Sequence, residues 1–282
     1  DVSDILHGLN EAQRDAVAAE RGNLLVLAGA GSGKTRVLVH RIAWLIRAEG
    51  LSPHGLLAVT FTNKAAREMR GRIEHMLAIP THGMWVGTFH GLAHRLLKTH
   101  WRDAKLPQNF QILDSDDQLR LIKQILEAEN IDAKRWTPRY FASLVDGWKN
   151  RALTPDRIPE EDKWKFADGK AGDLYKLYQE RLSVLNACDF GDLLLHTITV
   201  FQDNPDVLAE FHRKFRYVLV DEYQDTNVAQ YLWLRLLARG SNNLCCVGDD
   251  DQSIYGWRGA EVDNILRFEQ DFPGAAVIRL ER

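Results

Sequence analysis

The chain has 282 residues, 45% of them hydrophobic and 27% charged, which suits one large or two modest globular cores and excludes a disordered chain. A formal net charge of −3 excludes a whole-molecule field that would draw it onto a polyanion, so any nucleic-acid contact must be local. The three cysteines, Cys188, Cys245 and Cys246, lack C-x-x-C spacing and read as reduced core residues of a cytosolic protein.

Asp1 to Val17 holds no basic region followed by an apolar stretch and no run able to span a bilayer, so no membrane association is expected. The first residue is not methionine and is therefore not expected to be the natural start. Leu24 to Leu27 then form the first strand-like run. It leads into Ala28-Gly29-Ala30-Gly31-Ser32-Gly33-Lys34-Thr35, followed by an apolar stripe of Val37, Leu38, Ile42, Leu45 and Ile46 that ends at Gly50. Strand, glycine turn and helix make a phosphate cradle: backbone N–H groups converge at a positive helix end, Lys34 adds a point charge, and Thr35 offers a hydroxyl to Mg²⁺. Ala28 stands where the strict pattern has its first glycine.

Leu56 to Phe61 and Met84 to Thr88 give further strands, separated by a helical stripe of Ala65, Ala66, Met69, Ile73, Met76 and Leu77. Between Leu92 and Arg216 the strand signal disappears and helical stripes replace it, among them Leu119, Ile122, Ile125 and Leu126. Within this region Thr154 to Gly172, with Pro155, Pro159 and many charges, reads as an exposed loop or mobile connection. Arg135, Trp136, Arg139, Tyr140, Phe141, Trp148, Lys149 and Arg151 interleave basic and aromatic residues. They fit a DNA grip or, more simply, core aromatics beside a solvated charged face.

Strand-type segments resume at Tyr217. Tyr217 to Val220 end in Asp221-Glu222, where phosphoryl transfer wants one carboxylate for the metal and a second to orient or deprotonate water; alone, the pair reads equally as an acidic turn. Leu244 to Val247 lead into Gly-Asp-Asp-Asp-Gln252-Ser-Ile-Tyr255-Gly-Trp257-Arg258-Gly-Ala260. Gln252 can reach a γ-phosphate there, while Tyr255, Trp257 and Arg258 can stack on bases and touch phosphates, at about 1–3 kcal/mol per stacked base. A last strand covers Ala276 to Leu280. The unbroken apolar runs predict an α/β fold with a doubly wound parallel sheet, interrupted by an inserted α-helical domain.

Taken together these strings resemble the superfamily 1 DNA helicases of the UvrD, PcrA and Rep group. Leu9-Asn10 with Gln13 resembles the adenine-reading glutamine motif, Ala28 to Arg36 motif I, Ala58 to Ala65 motif Ia, Gly87 to His90 motif Ib, Val220 to Thr226 motif II, and Val247 to Ala260 motif III. The resemblance implies a RecA-like P-loop domain in two parts, 1–91 and 215–282, around a DNA-contacting helical insertion at 92–214. It implies ATP and Mg²⁺ as cofactors: Gln13 binds adenine, the loop from Ala28 to Gly33 with Lys34 and Arg36 lies at the nucleotide, and Arg72 is a further candidate. Thr35, Asp221, Glu222 and Gln252 serve Mg-ATP. Phe61, Tyr255, Trp257 and Arg258 line a path for single-stranded DNA, with Thr60, Asn63, Thr88 and His90 as backbone contacts. The resemblance further implies a bacterial, nucleoid-associated 3′–5′ helicase of DNA repair and replication that meets single strands and duplex/single-strand junctions. Repair proteins are further candidate partners, and a helicase subunit of a recombination nuclease is the alternative. A second motor domain, expected after Arg282, supplies arginines to the phosphates, so this chain alone is expected to hydrolyse ATP slowly and not to unwind duplex.

Overall fold

The computed structural model describes residues 1–29, 32–249 and 268–280. Among them the strands are β1 (Leu24–Ala28), β2 (Leu56–Thr60), β3 (Trp85–Thr88), β4 (Gln111–Ile112), β5 (Ala187–Cys188), β6 (Tyr217–Val220), β7 (Leu244–Asp249) and β8 (Ala276–Leu280). Six form one sheet in the order β3-β2-β6-β7-β1-β8, with every recorded pairing parallel. All residues of β1, β2 and β6 are buried, because helices cover both faces; this is why their sequences run apolar without alternation. The edge strand β8 is largely exposed until Leu280.

The chain divides into two compact units, one of 1–92, 205–227 and 231–282 and one of 93–204 and 228–230. In the first unit, helices α1 (Ser3–Leu6) and α2 (Glu11–Val17) precede β1. A capping box starts α2: the Asn10 side chain accepts from the Gln13 backbone N–H, and the Gln13 side chain accepts from the Asn10 N–H, both at 2.9 Å. Helix α3 (Lys34–Arg47) follows β1 and α4 (Asn63–Leu77) follows β2. Thr62 caps α4 by accepting from the Ala65 N–H at 3.1 Å.

One polar residue lies inside the α3 stripe. Arg41 is fully buried, donates to the Val17 carbonyl at 2.8 Å and to the Tyr217 hydroxyl at 2.8 Å, and stacks its guanidinium over the Tyr217 ring at 5.2 Å. A single side chain thereby ties the end of α2, the middle of α3 and the start of β6 together.

The second unit is helical: α6 (Ser115–Ala128), α7 (Pro138–Asn150), α9 (Ala171–Val184) and α10 (Phe190–Asp203) are its longest elements, with α5 (Phe89–Thr99) leading in and the short α8 (Glu160–Lys163) between. Its core gathers Leu121, Ile122, Ile125, Phe141, Val145, Trp148, Leu174, Tyr175, Tyr178 and Leu182. Two expectations are corrected here. The region contains a two-residue parallel ladder, β4 with β5, too short to leave any periodicity in sequence. The stretch from Thr154 to Gly172 is not an exposed connection: Ile158, Phe166 and Ala167 are buried in the core, and the buried Asp162 accepts from the Trp148 indole N–H at 2.9 Å and pairs with Arg151 and Lys165. Its high charge content hid the few apolar anchors that fix it.

Of the basic and aromatic residues between Arg135 and Arg151, Phe141, Trp148 and Lys149 are interior. The Lys149 ammonium has no exposed side-chain surface and lies 2.6 Å from Asp189 and 2.9 Å from Asp192. Tyr178 donates to Asp189 at 2.8 Å, and Gln179 to Asp192 at 3.0 Å. Burial works against the Asp192 carboxylate, but Lys149 and its hydrogen bonds outweigh that and hold it at about 2. Cys188 and His196 come within 4.8 Å of Asp192, yet that carboxylate is already committed to Lys149 and Gln179. Among the described residues no helix is long and apolar enough to cross a membrane.

Removing one member of a buried ion pair leaves its partner charge uncompensated. Lys149→Ala is therefore expected to destabilise the helical unit by about 3–5 kcal/mol, read as a shift of the urea unfolding midpoint; a shift within measurement error contradicts it.

Candidate nucleotide site at the carboxyl edge of the sheet

Parallel strands deliver their carboxyl ends to one edge, and the sheet order seats β7 between β6 and β1. The residues that follow β1 and β6 and the last residue of β7 therefore meet. Gly33 adopts the left-handed conformation, φ 75°, as it caps α3, a geometry glycine enters freely. A Cβ there would lie 2.9 Å from the Gln13 side-chain nitrogen, which donates to the Ser32 carbonyl at 3.1 Å. Gln13 is thus built against the glycine loop, while the Ser32 hydroxyl donates to the Gly29 carbonyl at 2.6 Å. Ala28 closes β1, fully buried. Ala30 and Gly31 lie outside the described residues.

Lys34 and Thr35 open α3 and turn to the acids at the end of β6. The Lys34 ammonium is 3.3 Å from the Glu222 carboxylate and pairs closely with Asp249. The Thr35 hydroxyl donates to Asp221 at 3.3 Å. Asp221 also accepts the Glu222 backbone N–H at 2.9 Å. Burial lowers the Lys34 pKa, but Asp249 and Glu222 more than reverse this and leave it above the usual lysine range. Burial raises Asp221, and the Glu222 charge adds to this against the pull of Lys34 and Thr35. An acid so placed gains from a cation beside it.

Glu222 itself is left-handed, φ 53° and ψ 44°, an uncommon conformation for a residue with a side chain and one that clusters at functional sites. It turns the chain back so that Gln224 lies against β7: Gln224 donates to Glu222 at 2.6 Å and to the Asp249 carboxylate at 3.3 Å, and accepts the Asp249 N–H at 3.0 Å. Sequence reasoning left out both Gln224 and Asp249. The signal available was their place in the two acidic strings, each at a strand end.

Beside the loop opens a cavity of about 1010 Å³ whose walls include Lys34, Thr35, Arg36, His40, Glu68, Arg72, His75 and Met76. Arg36 and Arg72 thus share one wall system with the phosphate-loop residues. The lining carries three cations, Lys34, Arg36 and Arg72, one acid, Glu68, and apolar surface. Thr35 and Asp221 are hard oxygen donors 3.3 Å apart, a donor set that would suit Mg²⁺.

Further along the same edge, Thr60 is 1% exposed and donates its hydroxyl to the Thr62 carbonyl at 3.1 Å, so it shapes the turn that carries Phe61 and Asn63. Phe61 is half-buried, its ring 5.3 Å from Phe89, which in turn lies 5.7 Å from Trp233. Asn63 is exposed at the start of α4. Thr88 ends β3 half-buried and accepts the Gly91 N–H at 3.0 Å. Burial pushes the half-buried His90 imidazole down to about 4. Gln252, Tyr255, Trp257 and Arg258 fall outside the described residues.

Residues 9–273 match the family model described as the UvrD/REP helicase N-terminal domain. The chain is 54% identical over 287 residues to the DNA helicase II of Escherichia coli strain K12, with all of this chain and 39% of that protein covered. It is 48% identical over 281 residues to a probable DNA helicase II homolog of Rickettsia felis, covering 99% of this chain and 43% of the relative. With an ATP-dependent DNA helicase PcrA of Staphylococcus epidermidis the identity is 46% over 278 residues, covering 99% and 38%. The chain spans about two fifths of the length of these relatives. With a parallel sheet whose carboxyl edge carries the glycine loop and the paired acids, and with a family match over nearly its whole length, the chain belongs to the UvrD/REP helicase family, in the part that forms its N-terminal domain.

Proposed function

We propose that the chain is the first motor domain of a longer ATP-dependent DNA helicase that moves 3′ to 5′ on single-stranded DNA in repair and replication. The observation that supports this reading is the meeting of Lys34 and Thr35 with Glu222 and Asp221, residues far apart in the chain that come together as a triphosphate site requires. The names of the similar helicases supply the macromolecular substrate.

In this reading the loop from Ala28 to Gly33, the start of α3 and Lys34 hold the β- and γ-phosphates. Thr35 and Asp221 hold Mg²⁺, which when bound neutralises charge developing on the phosphoryl oxygens. The Glu222 carboxylate orients the attacking water and accepts its proton. Gln13 reads the adenine edge, Arg36 and Arg72 flank the nucleotide, and Gln252 senses the γ-phosphate. A second motor domain of the same longer protein supplies arginine to the opposite side. Phe61, Tyr255, Trp257 and Arg258 stack on and contact single-stranded DNA, while Asn63, Thr88 and His90 touch its backbone beside Thr60; junctions between duplex and single strand are the substrate to be opened. ATP favours one cleft geometry and its hydrolysis another, and the difference in DNA affinity between the two is what moves the strand.

In the full-length protein, Lys34→Ala is expected to abolish ATP binding. Glu222→Gln keeps nucleotide affinity but lowers DNA-stimulated kcat by about 10²–10⁴-fold. Turnover that is indifferent to single-stranded DNA, or that survives Lys34→Ala, overturns the reading.

Because its ring stays neutral above a pH of about 4, His90 contacts a phosphate as a neutral hydrogen-bonding group. His90→Ala is therefore expected to weaken single-strand binding without changing its dependence on salt. Its contribution is also flat with pH through neutrality and strengthens only as pH falls toward the ring's own pKa. A reduced salt slope in the variant, measured by fluorescence titration, contradicts this.

A further inference from the structure

We propose that Gln224 is a positioning residue for hydrolysis: its amide locks the Glu222 carboxylate and the end of β7 into one unit facing Lys34. The assignment rests on the reading of Glu222 as the group that orients water.

Gln224 is 4% exposed, so both ends of its amide need partners inside the protein. The structure supplies them from two different strands. The nitrogen donates to Glu222 at 2.6 Å and to the Asp249 carboxylate at 3.3 Å, and the oxygen accepts the Asp249 backbone N–H at 3.0 Å. Only a group carrying donor and acceptor at once satisfies a carboxylate and a backbone N–H in this way. Gly248 makes room for it: a Cβ there would stand 2.8 Å from the Gln224 amide oxygen.

Glu222 needs such an anchor. Its side chain is 36% exposed and that of Asp249 is 31% exposed, so packing alone does not fix either carboxylate. Both are drawn to Lys34, whose ammonium is a flexible point charge without directional preference. Gln224 adds the direction. It holds the Glu222 Oε2 at 2.6 Å while Oε1 lies 3.3 Å from the Lys34 ammonium, so the orientation of the carboxylate is set from two sides, and it keeps Asp249 from turning away from Lys34. A misplacement of about 1 Å in a reacting group costs on the order of 10²-fold in rate.

Two substitutions separate positioning from packing. Gln224→Leu fills similar space and removes all three hydrogen bonds. Gln224→Glu preserves shape but sets a third carboxylate against Glu222 and Asp249. With DNA-stimulated ATPase of the full-length protein as the assay, Gln224→Leu is expected to lower kcat on the order of 10²-fold and to leave KM within about threefold. Gln224→Glu, though closer in shape, is expected to be the more damaged. Gly248→Ala, which displaces the amide without touching its chemistry, is expected to lower kcat in the same sense. If Gln224→Leu turns over at the wild-type rate, if it loses nucleotide affinity along with kcat, or if Gln224→Glu is the milder variant, the positioning role is overturned. Wild-type turnover that ignores single-stranded DNA or persists in Lys34→Ala overturns instead the reading of the site on which this role rests.

Discussion

A lysine ammonium meets two carboxylates that lie 188 and 215 residues further along the chain, and the arrangement of the first unit serves that encounter. Nothing local brings these groups together. The encounter follows from sheet order: with β7 between β6 and β1, the carboxyl ends of three parallel strands lie side by side, and each contributes one part of the constellation. In open α/β sheets this edge is where ligands gather, because loops leaving the strands fan apart there. Lys34 is satisfied by Glu222 and Asp249, so in the proposed reading a triphosphate at this loop competes with carboxylates the protein already owns.

A long interruption separates β3 from β6, and the sheet tolerates it for a simple reason. Loop-closure entropy grows only with the logarithm of loop length, and the inserted residues bury their own apolar surface around Phe141, Trp148, Tyr175 and Tyr178. The helical unit therefore carries its own ordering cost. Its interior is fixed by polarity as much as by volume: Lys149, Asp189 and Asp192 sit among aromatic rings and satisfy one another. A buried charge network adds little net stability against apolar packing, but it allows few alternative arrangements of the helices that carry it.

Much of the sheet was legible in the sequence because double-sided burial writes itself as unbroken apolar runs, and five of its strands end at chemistry-bearing residues. The glycine loop and the paired acids were legible as types, since phosphate approach demands residues without side chains and metal binding demands carboxylates. What could not be read was partnership. That Asp249 rather than another acid of its string meets Lys34 depends on strand register, and that Gln224 folds back on β7 depends on the left-handed turn at Glu222; neither leaves a period or a composition. Arg41 escaped notice because a buried arginine looks like a solvated one until the carbonyl and hydroxyl that satisfy it are in place. The anchors Ile158, Asp162 and Phe166 were masked by the charges around them.

Register carries the specificity of the site. Along the β1–β7 pair Leu27 stands level with Gly248 and Ala28 with Asp249, while along β6–β7 Val220 stands level with Cys246. The strand β7 thus runs beyond the last residue of β6, and Asp249 ends beside the start of the glycine loop, not beside its own neighbour acid Asp221. A slip of one residue would carry the Asp249 side chain to the opposite face of the sheet, place a Cβ where Gly248 admits the Gln224 amide, and leave Lys34 with Glu222 alone. The apolar pairs that set this register, Leu25 with Cys246 and Val26 with Val247, are fully buried. The hydrophobic core therefore fixes which carboxylate reaches Lys34, and a change deep in β7 that shifts this register acts on the proposed nucleotide site without touching it.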